Sequence, residues 1–113
     1  MKTYTIAELV ARAYVEEKGM MFTGNAFACP EGKADAACTD GEETVLLMVT
    51  AKRQRGEAKA PTYDARKLER VAVYFMAMNP TVNRMRFDVL EASIGKGAIV
   101  TVQAVEGAWR WDR

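Results

Sequence analysis

The side chains that could do chemistry in this sequence are carboxylates, lysines and tyrosines, because none of its 113 residues is a histidine. A Ser-His-Asp triad, a Cys-His pair and a histidine-bearing zinc site are therefore excluded. Three features stand out in chain order: Glu8 in a predicted helix, Asp35 near the start of a predicted strand, and Thr50-Ala51-Lys52 at the end of the next strand. Any catalysis must rest on such groups or on a metal that carboxylates hold.

A turn signal lies between the two strands that carry these residues. Asp40-Gly41 folds one strand back on the other, which should bring Asp35 opposite residues 48–50. Thr50 and Lys52 are two positions apart and so share one side of their strand.

Two predicted helices frame these residues. The first covers about residues 6–18, because Thr5-Ile6-Ala7-Glu8 has the spacing of a capping box and apolar residues then recur at helical spacing as far as Lys18-Gly19 (Ile6, Leu9, Val10, Ala13, Tyr14). The second covers about residues 64–78. It opens after Pro61-Thr62, closes at Asn79-Pro80 and has an apolar stripe (Ala65, Leu68, Val71, Ala72, Phe75).

The remaining segments predict five strands, at about residues 20–28, 34–39, 44–51, 84–92 and 98–105. Residues 44–51 are uncharged throughout, which predicts a central strand covered on both faces. The second helix lies between two strands and so predicts a right-handed parallel crossover. We therefore expect one α/β domain over residues 1–113 in the order αβββαββ. It should have a mixed central sheet of about five strands flanked by helices on both faces.

Along its length the chain resembles the small YraN-type family of the restriction-endonuclease-like superfamily. The resemblance covers nearly the whole chain, and the order and spacing of several short matches carry it. The matches are Glu8, Ala11 and Ala13-Tyr14-Val15-Glu16-Glu17-Lys18-Gly19; Asn25; Gly32-Lys33-Ala34-Asp35; Val49-Thr50-Ala51-Lys52 with Arg53 and Arg55; Lys67; Arg86-Phe87-Asp88-Val89; and Ala108-Trp109.

This resemblance implies a restriction-endonuclease-like fold and a metal-dependent phosphodiesterase site. In active members of the superfamily, the Asp and Glu of an Asp…Glu-x-Lys motif hold Mg²⁺ or Mn²⁺, and the Lys helps to position the attacking water. The implied catalytic residues are Glu8, Asp35, Thr50 and Lys52, with Glu8 and Asp35 as the metal ligands.

The chain departs from the motif at two positions. Thr50 stands where the motif has Glu, and Lys33 replaces an acidic residue two positions before Asp35. A neutral hydroxyl and a nearby ammonium group both disfavour a divalent cation. We therefore expect a weak or vestigial metal site and impaired or lost cleavage. An active Mg²⁺- or Mn²⁺-dependent endonuclease with a relocated carboxylate, at Asp88 or Glu91, is the alternative. Asp88 also has a structural interpretation, because Arg86 lies two positions away on the same strand face and predicts an ion pair between them.

Each of these residues also has a structural interpretation. Glu8 fits the capping box, Asp35 a strand-end turn and Lys52 a strand end whose stem covers apolar surface. Thr50 is an ordinary β-branched strand residue.

Basic charge is concentrated in the middle of the chain. Residues 44–86 hold nine Lys/Arg against three Asp/Glu, whereas residues 1–43 hold four against eight. A basic loop and a basic, aromatic stripe of the second helix lie there (Lys52, Arg53, Arg55, Tyr63, Lys67, Arg70, Tyr74). Cations release counterions from a phosphate backbone, and aromatic rings stack on bases. We therefore expect binding of DNA or RNA through residues 52–70.

A third functional class is a protein-interaction module. Trp109 and Trp111 alternate near the end of the chain, and an exposed tryptophan there would mark a protein partner or a homodimer surface.

The sequence also predicts a cytoplasmic protein without a membrane segment. The longest strongly apolar run, Val45-Leu46-Leu47-Met48-Val49, is too short to cross a bilayer, and the first residues contain no signal-peptide core. Cys29 and Cys38 are expected to be reduced structural thiols.

Overall fold

The computed structural model describes residues 3–24, 26–53 and 60–112, with backbone only for residues 3–5 and for Ala98. Its helices are α1 (Thr3–Glu17) and α2 (Ala65–Met78), with a short 3₁₀ turn at Lys96–Ala98. Its strands are β1 (Met21–Gly24), β2 (Phe27–Cys29), β3 (Gly32–Ala34), β4 (Ala36–Asp40), β5 (Glu43–Arg53), β6 (Arg84–Ile94) and β7 (Val100–Asp112).

Five strands form the central sheet, in the order β1-β4-β5-β6-β7. The β5–β6 pair is parallel and the other three pairs are antiparallel. The predicted mixed five-stranded sheet, the parallel crossover and the central position of β5 are thereby confirmed. Apolar residues of β5 pack alternately into two buried clusters, one under α1 and one under α2, so helices cover both faces.

The predicted order αβββαββ is wrong before the second helix, where the structure has five strands. The predicted strands at 20–28 and 34–39 each divide, and the inner pieces β2 and β3 pair with each other as a separate two-stranded sheet. Phe27 of this ribbon meets Phe75 of α2 edge to face, with ring centroids 5.3 Å apart. The ribbon therefore packs against α2 instead of extending the central sheet.

Helix α1 covers one face of the sheet with a stripe that differs from the predicted one. Its buried residues are Val10, Ala11, Tyr14 and Val15, whereas Leu9 and Ala13 are exposed. The helix begins at Thr3, so Thr5 is a helical residue and the predicted capping box is wrong. At the other end, the Gly19 N–H donates to the Glu16 carbonyl and the Met20 N–H to the Val15 carbonyl. Gly19 has a φ of +68°, the left-handed conformation that this helix ending requires.

Helix α2 covers the opposite face, and its predicted bounds are close to the observed ones. Leu68, Val71 and Ala72 are buried against the sheet, in agreement with the predicted stripe. The Asp64 side chain caps the helix by accepting hydrogen bonds from the N–H groups of Arg66 and Lys67.

A buried ionic network joins α1 to β6 and β7. The Asp88 carboxylate is fully buried and accepts hydrogen bonds from the Tyr14 hydroxyl (2.8 Å), Arg86 Nε (3.0 Å) and the Gly107 N–H (2.8 Å). Burial and the bond to Asp88 raise the pKa of Tyr14. Burial disfavours the charged form of Arg86, but its neighbouring carboxylates outweigh that effect and raise its pKa. Because Tyr14 belongs to α1 and Asp88 to β6, the network holds α1 on the sheet.

The tryptophans and cysteines have structural surroundings. Trp109 and Trp111 are both half-buried against the cluster under α2, so neither is a fully exposed tryptophan. Cys29 and Cys38 are both free, and burial raises the pKa of Cys38 to about 11. Within residues 3–24, 26–53 and 60–112, no helix is long and apolar enough to cross a bilayer.

Candidate functional site

An open cleft of about 770 Å³ lies between α1 and the sheet. Four charged side chains line it (Glu8, Arg12, Lys33, Asp35). The other lining residues are apolar or glycine (Ala7, Ala11, Phe22, Gly24, Ala26, Ala36, Val49, Ala51). The cleft thus combines two carboxylates and two cations with a largely apolar wall.

Asp35 is held in this cleft by β5. It occupies the bend between β3 and β4, and its backbone N–H donates to the Leu47 carbonyl at 2.7 Å. Its Oδ2 accepts the Val49 N–H at 2.7 Å, and Lys33 Nζ lies 3.4 Å from its Oδ1. Both carboxylate oxygens are therefore engaged within the protein, one by a backbone group and one by an ammonium group.

Glu8 and Arg12 reach the same cleft from α1. They are four residues apart, which is about one helical turn, so they lie on one face of the helix. The structure thus brings Glu8 and Asp35 to one cleft. It also adds Arg12, which the sequence reasoning missed. The i, i+4 spacing of Glu8 and Arg12 on a helix facing Asp35 was the available signal.

Thr50 and Lys52 do not join this cleft. Side chains alternate along a strand, and Val49 and Ala51 are the β5 residues that line the cleft. Thr50 and Lys52 leave β5 on the opposite face, where Lys52 Nζ lies 2.6 Å from Glu91 Oε1. The four predicted catalytic residues are thereby divided into two pairs on opposite faces of the sheet.

The two alternative carboxylates have other partners. Glu91 lies opposite Thr50 in the parallel pair and forms the ion pair with Lys52 on the α2 face. Asp88 is buried, with three hydrogen-bond donors. Its predicted pairing with Arg86 is confirmed at 3.0 Å.

The cleft residues do not fit a Mg²⁺ or Mn²⁺ site. Such an ion takes carboxylates and water, and needs negative charge around it. Here Asp35 already has two partners, two cations (Arg12 and Lys33) line the cleft together with Glu8, and the facing β5 residues are apolar. Among the side chains that the structure describes, no three His, Cys, Asp or Glu residues cluster as metal ligands would.

The predicted nucleic-acid-binding residues occupy both faces of the sheet. Tyr63 precedes the cap of α2 and is exposed, as are Lys67 and Arg70 on the helix. Arg70 Nε lies 3.0 Å from Glu31 Oε2, which ties it to the turn between β2 and β3.

Arg53 belongs to the other face. It ends β5 two residues after Ala51 and pairs with Ile94, which lies on the α1 face. Arg55 and Asn25 lie outside the described residues.

Comparison with known proteins gives the family name of a related protein. No protein-family model matches the chain. The chain is 29% identical over 110 residues to a UPF0102 protein of Moorella thermoacetica, with 92% of each chain covered. This similarity supports a relation to the UPF0102 (YraN-type) family. The name describes no activity, so the comparison indicates a relationship between the two proteins and no reaction.

Proposed function

We propose that this chain is a nucleic-acid-binding protein on a restriction-endonuclease-like fold, with an impaired or lost metal-dependent phosphodiesterase site. The mixed sheet, with its α1-side cleft between a helix and the β4–β5 pair, supports the proposed fold. The relation to a YraN-type family supports it from the sequence side. The binding surface is the α1-side cleft together with Arg53, which ends β5 on the same face of the sheet.

One observation carries the proposal: Arg12 and Lys33 line the cleft that holds Glu8 and Asp35. Guanidinium and ammonium groups bind phosphate directly and release counterions from the nucleic acid. These two groups cannot lower the pKa of a water molecule as a bound divalent metal does. A cleft with Arg12 and Lys33 in place of a metal therefore favours binding of the nucleic acid over its cleavage. The Lys33–Asp35 ion pair is exposed on the lysine side, and a phosphate can exchange with it at little cost.

The strand facing Asp35 supports the loss of cleavage. Val49 and Ala51 are the β5 side chains at the cleft, and neither can ligate a cation or activate water. Thr50 and Lys52 face the other side, so the missing glutamate of the motif has no carboxylate in its place on the cleft side. Binding then depends on the cations of the cleft alone.

The test is the salt dependence of binding to labelled oligonucleotides, followed by fluorescence anisotropy. Wild-type affinity should fall steeply between about 50 and 200 mM salt. The Arg12→Gln/Lys33→Gln variant should bind more weakly and lose up to about 1.4 from the salt slope on single strands, because each lost phosphate contact lowers the slope by about 0.7. The matched control is Lys67→Gln/Arg70→Gln, which removes the same charge from the α2 face.

Three outcomes decide the matter. Binding that is absent, or unaffected by both double variants, contradicts the proposal. A loss confined to the α2 variant moves the interface to the other face. Cleavage by the wild-type chain in Mn²⁺ that disappears in Asp35→Ala would instead support the active endonuclease.

A further inference from the structure

An exposed aromatic ring lies on the wall of the charged cleft. Phe22 of β1 retains 47% of its accessible surface and lines the cleft together with Arg12 and Lys33. Its strand is at the edge of the described sheet and pairs with β4, where Phe22 lies opposite Cys38. Cys38 belongs to the cluster under α1, so the register sets Phe22 on the same face as the cleft.

The space in front of this ring is kept open by small side chains. Ala7, Ala11, Ala26, Ala36 and Ala51 line the cleft with Gly24. The resulting volume, about 770 Å³, falls in the range of about 300–1,000 Å³ that small organic ligands occupy. An aromatic wall, two cations and open space therefore meet in one cavity.

These features match one part of a nucleic acid better than the rest. A base in a duplex is stacked on both sides and presents only its edges, whereas an unpaired base offers its flat face to an aromatic ring. A guanidinium and an ammonium group can form charge-assisted hydrogen bonds with the phosphates on either side of that base. A duplex backbone would use the cations but leave the Phe22 ring without a partner.

We infer that the cleft takes an unpaired nucleotide of a single-stranded DNA or RNA segment. Phe22 stacks on the base, and Arg12 and Lys33 bind the flanking phosphates. This inference rests on the proposed function and deepens it, since it names the state of the nucleic acid that the cleft selects.

The test compares Phe22→Leu with Met21→Leu on single-stranded and duplex oligonucleotides of about a dozen nucleotides, a length within the usual site size of about 4–16. Leucine keeps the apolar bulk but loses the π-face. Met21 is its 71% exposed neighbour and does not line the cleft, so it supplies the matched control. Phe22→Leu should weaken single-strand binding about 5- to 150-fold, as the loss of one stacked base does. The salt slope and the duplex affinity of Phe22→Leu should remain close to those of the wild type. Met21→Leu should bind both substrates as the wild type does.

A Phe22→Trp variant gives a direct signal. Adding a single strand should quench the fluorescence of this variant more than that of the wild type. The native Trp109 and Trp111 lie against the opposite face of the sheet, so they should report little on the cleft. Salt-dependent binding without this quenching, or with equal losses on both substrates in Phe22→Leu, overturns the inference and leaves nucleic-acid binding in place. Absence of salt-dependent binding to either substrate overturns the proposed function as well.

Discussion

Replacing Asp88 by Asn should strongly destabilise the fold. The side chain is fully buried, and its two oxygens accept from Tyr14, Arg86 and Gly107, which belong to α1, β6 and β7. Asparagine keeps the shape but loses the charge and one acceptor. The ion pair with Arg86 is the contact that suffers most, because an amide NH₂ or a neutral oxygen now faces a guanidinium.

The magnitude follows from what Arg86 retains. Removing one partner of a buried ion pair costs about 3–5 kcal/mol when it leaves the other charge uncompensated. Arg86 Nη1 keeps Glu43 at 2.7 Å and Asp40 at 3.1 Å, so the lower end of this range, about 3 kcal/mol, is expected. That is a large share of the about 5–15 kcal/mol by which domains are stable. With a urea m-value of about 1–3 kcal/mol/M, the unfolding midpoint should fall by about 1–3 M.

The assay is urea unfolding followed by tryptophan fluorescence. Asp112→Asn is the matched control: its exposed carboxylate lies 4.0 Å from Arg84, and its loss should cost less than about 1 kcal/mol. Tyr14→Phe should cost about 1.5–3 kcal/mol, since a hydroxyl bonded to a charged group is removed. The double variant with Asp88→Asn should cost less than the two single changes together. A loss below about 1 kcal/mol in Asp88→Asn, at an unchanged m-value, would refute the role given to this network.

Two further predictions concern the same region. Burial raises the pKa of Cys38 from 9.0 to about 11 and also raises the pKa of Tyr14. As the pH rises, these groups therefore lose their protons in the unfolded chain before they do so in the folded protein. The free energy of unfolding should not depend on these two groups below pH 9 and should fall above it. Urea midpoints measured across that range check the decline, and Cys38→Ala should flatten its first part; an unchanged midpoint up to pH 11 would contradict the argument. Gly107→Ala should cost about 1–2 kcal/mol, because φ is +67° and alanine is strained in that left-handed conformation, whereas the exposed Arg110 guanidinium next to the new Cβ can move aside. The same unfolding assay measures this cost, and a variant as stable as the wild type would show that β7 adopts another backbone there.

Much of the fold could be predicted from local patterns. Apolar spacing and Asn79-Pro80 located α2 closely, and the uncharged run at 44–51 identified β5 as the central strand. The alternation of Arg86 and Asp88 predicted their ion pair. These features depend on contacts within one element or between neighbours in sequence. The β2–β3 ribbon was missed because its three-residue strands are too short for a pattern and are stabilised by α2, far along the chain.

The candidate site was only half predictable, because a strand reverses its side chains at every residue. The sequence by itself determined that Glu8 and Asp35 are available, that histidine chemistry is excluded and that basic charge is concentrated in the middle of the chain. It could not determine which side of β5 meets α1, since that strand is apolar on both faces. Only the tertiary structure decided which side of β5 faces α1. The Val49 N–H donates to the Asp35 carboxylate and Ala51 lines the cleft, whereas Thr50 and Lys52 face α2. Packing of α1 against the sheet, anchored by Tyr14 and Asp88, thereby determined which residues form the cleft.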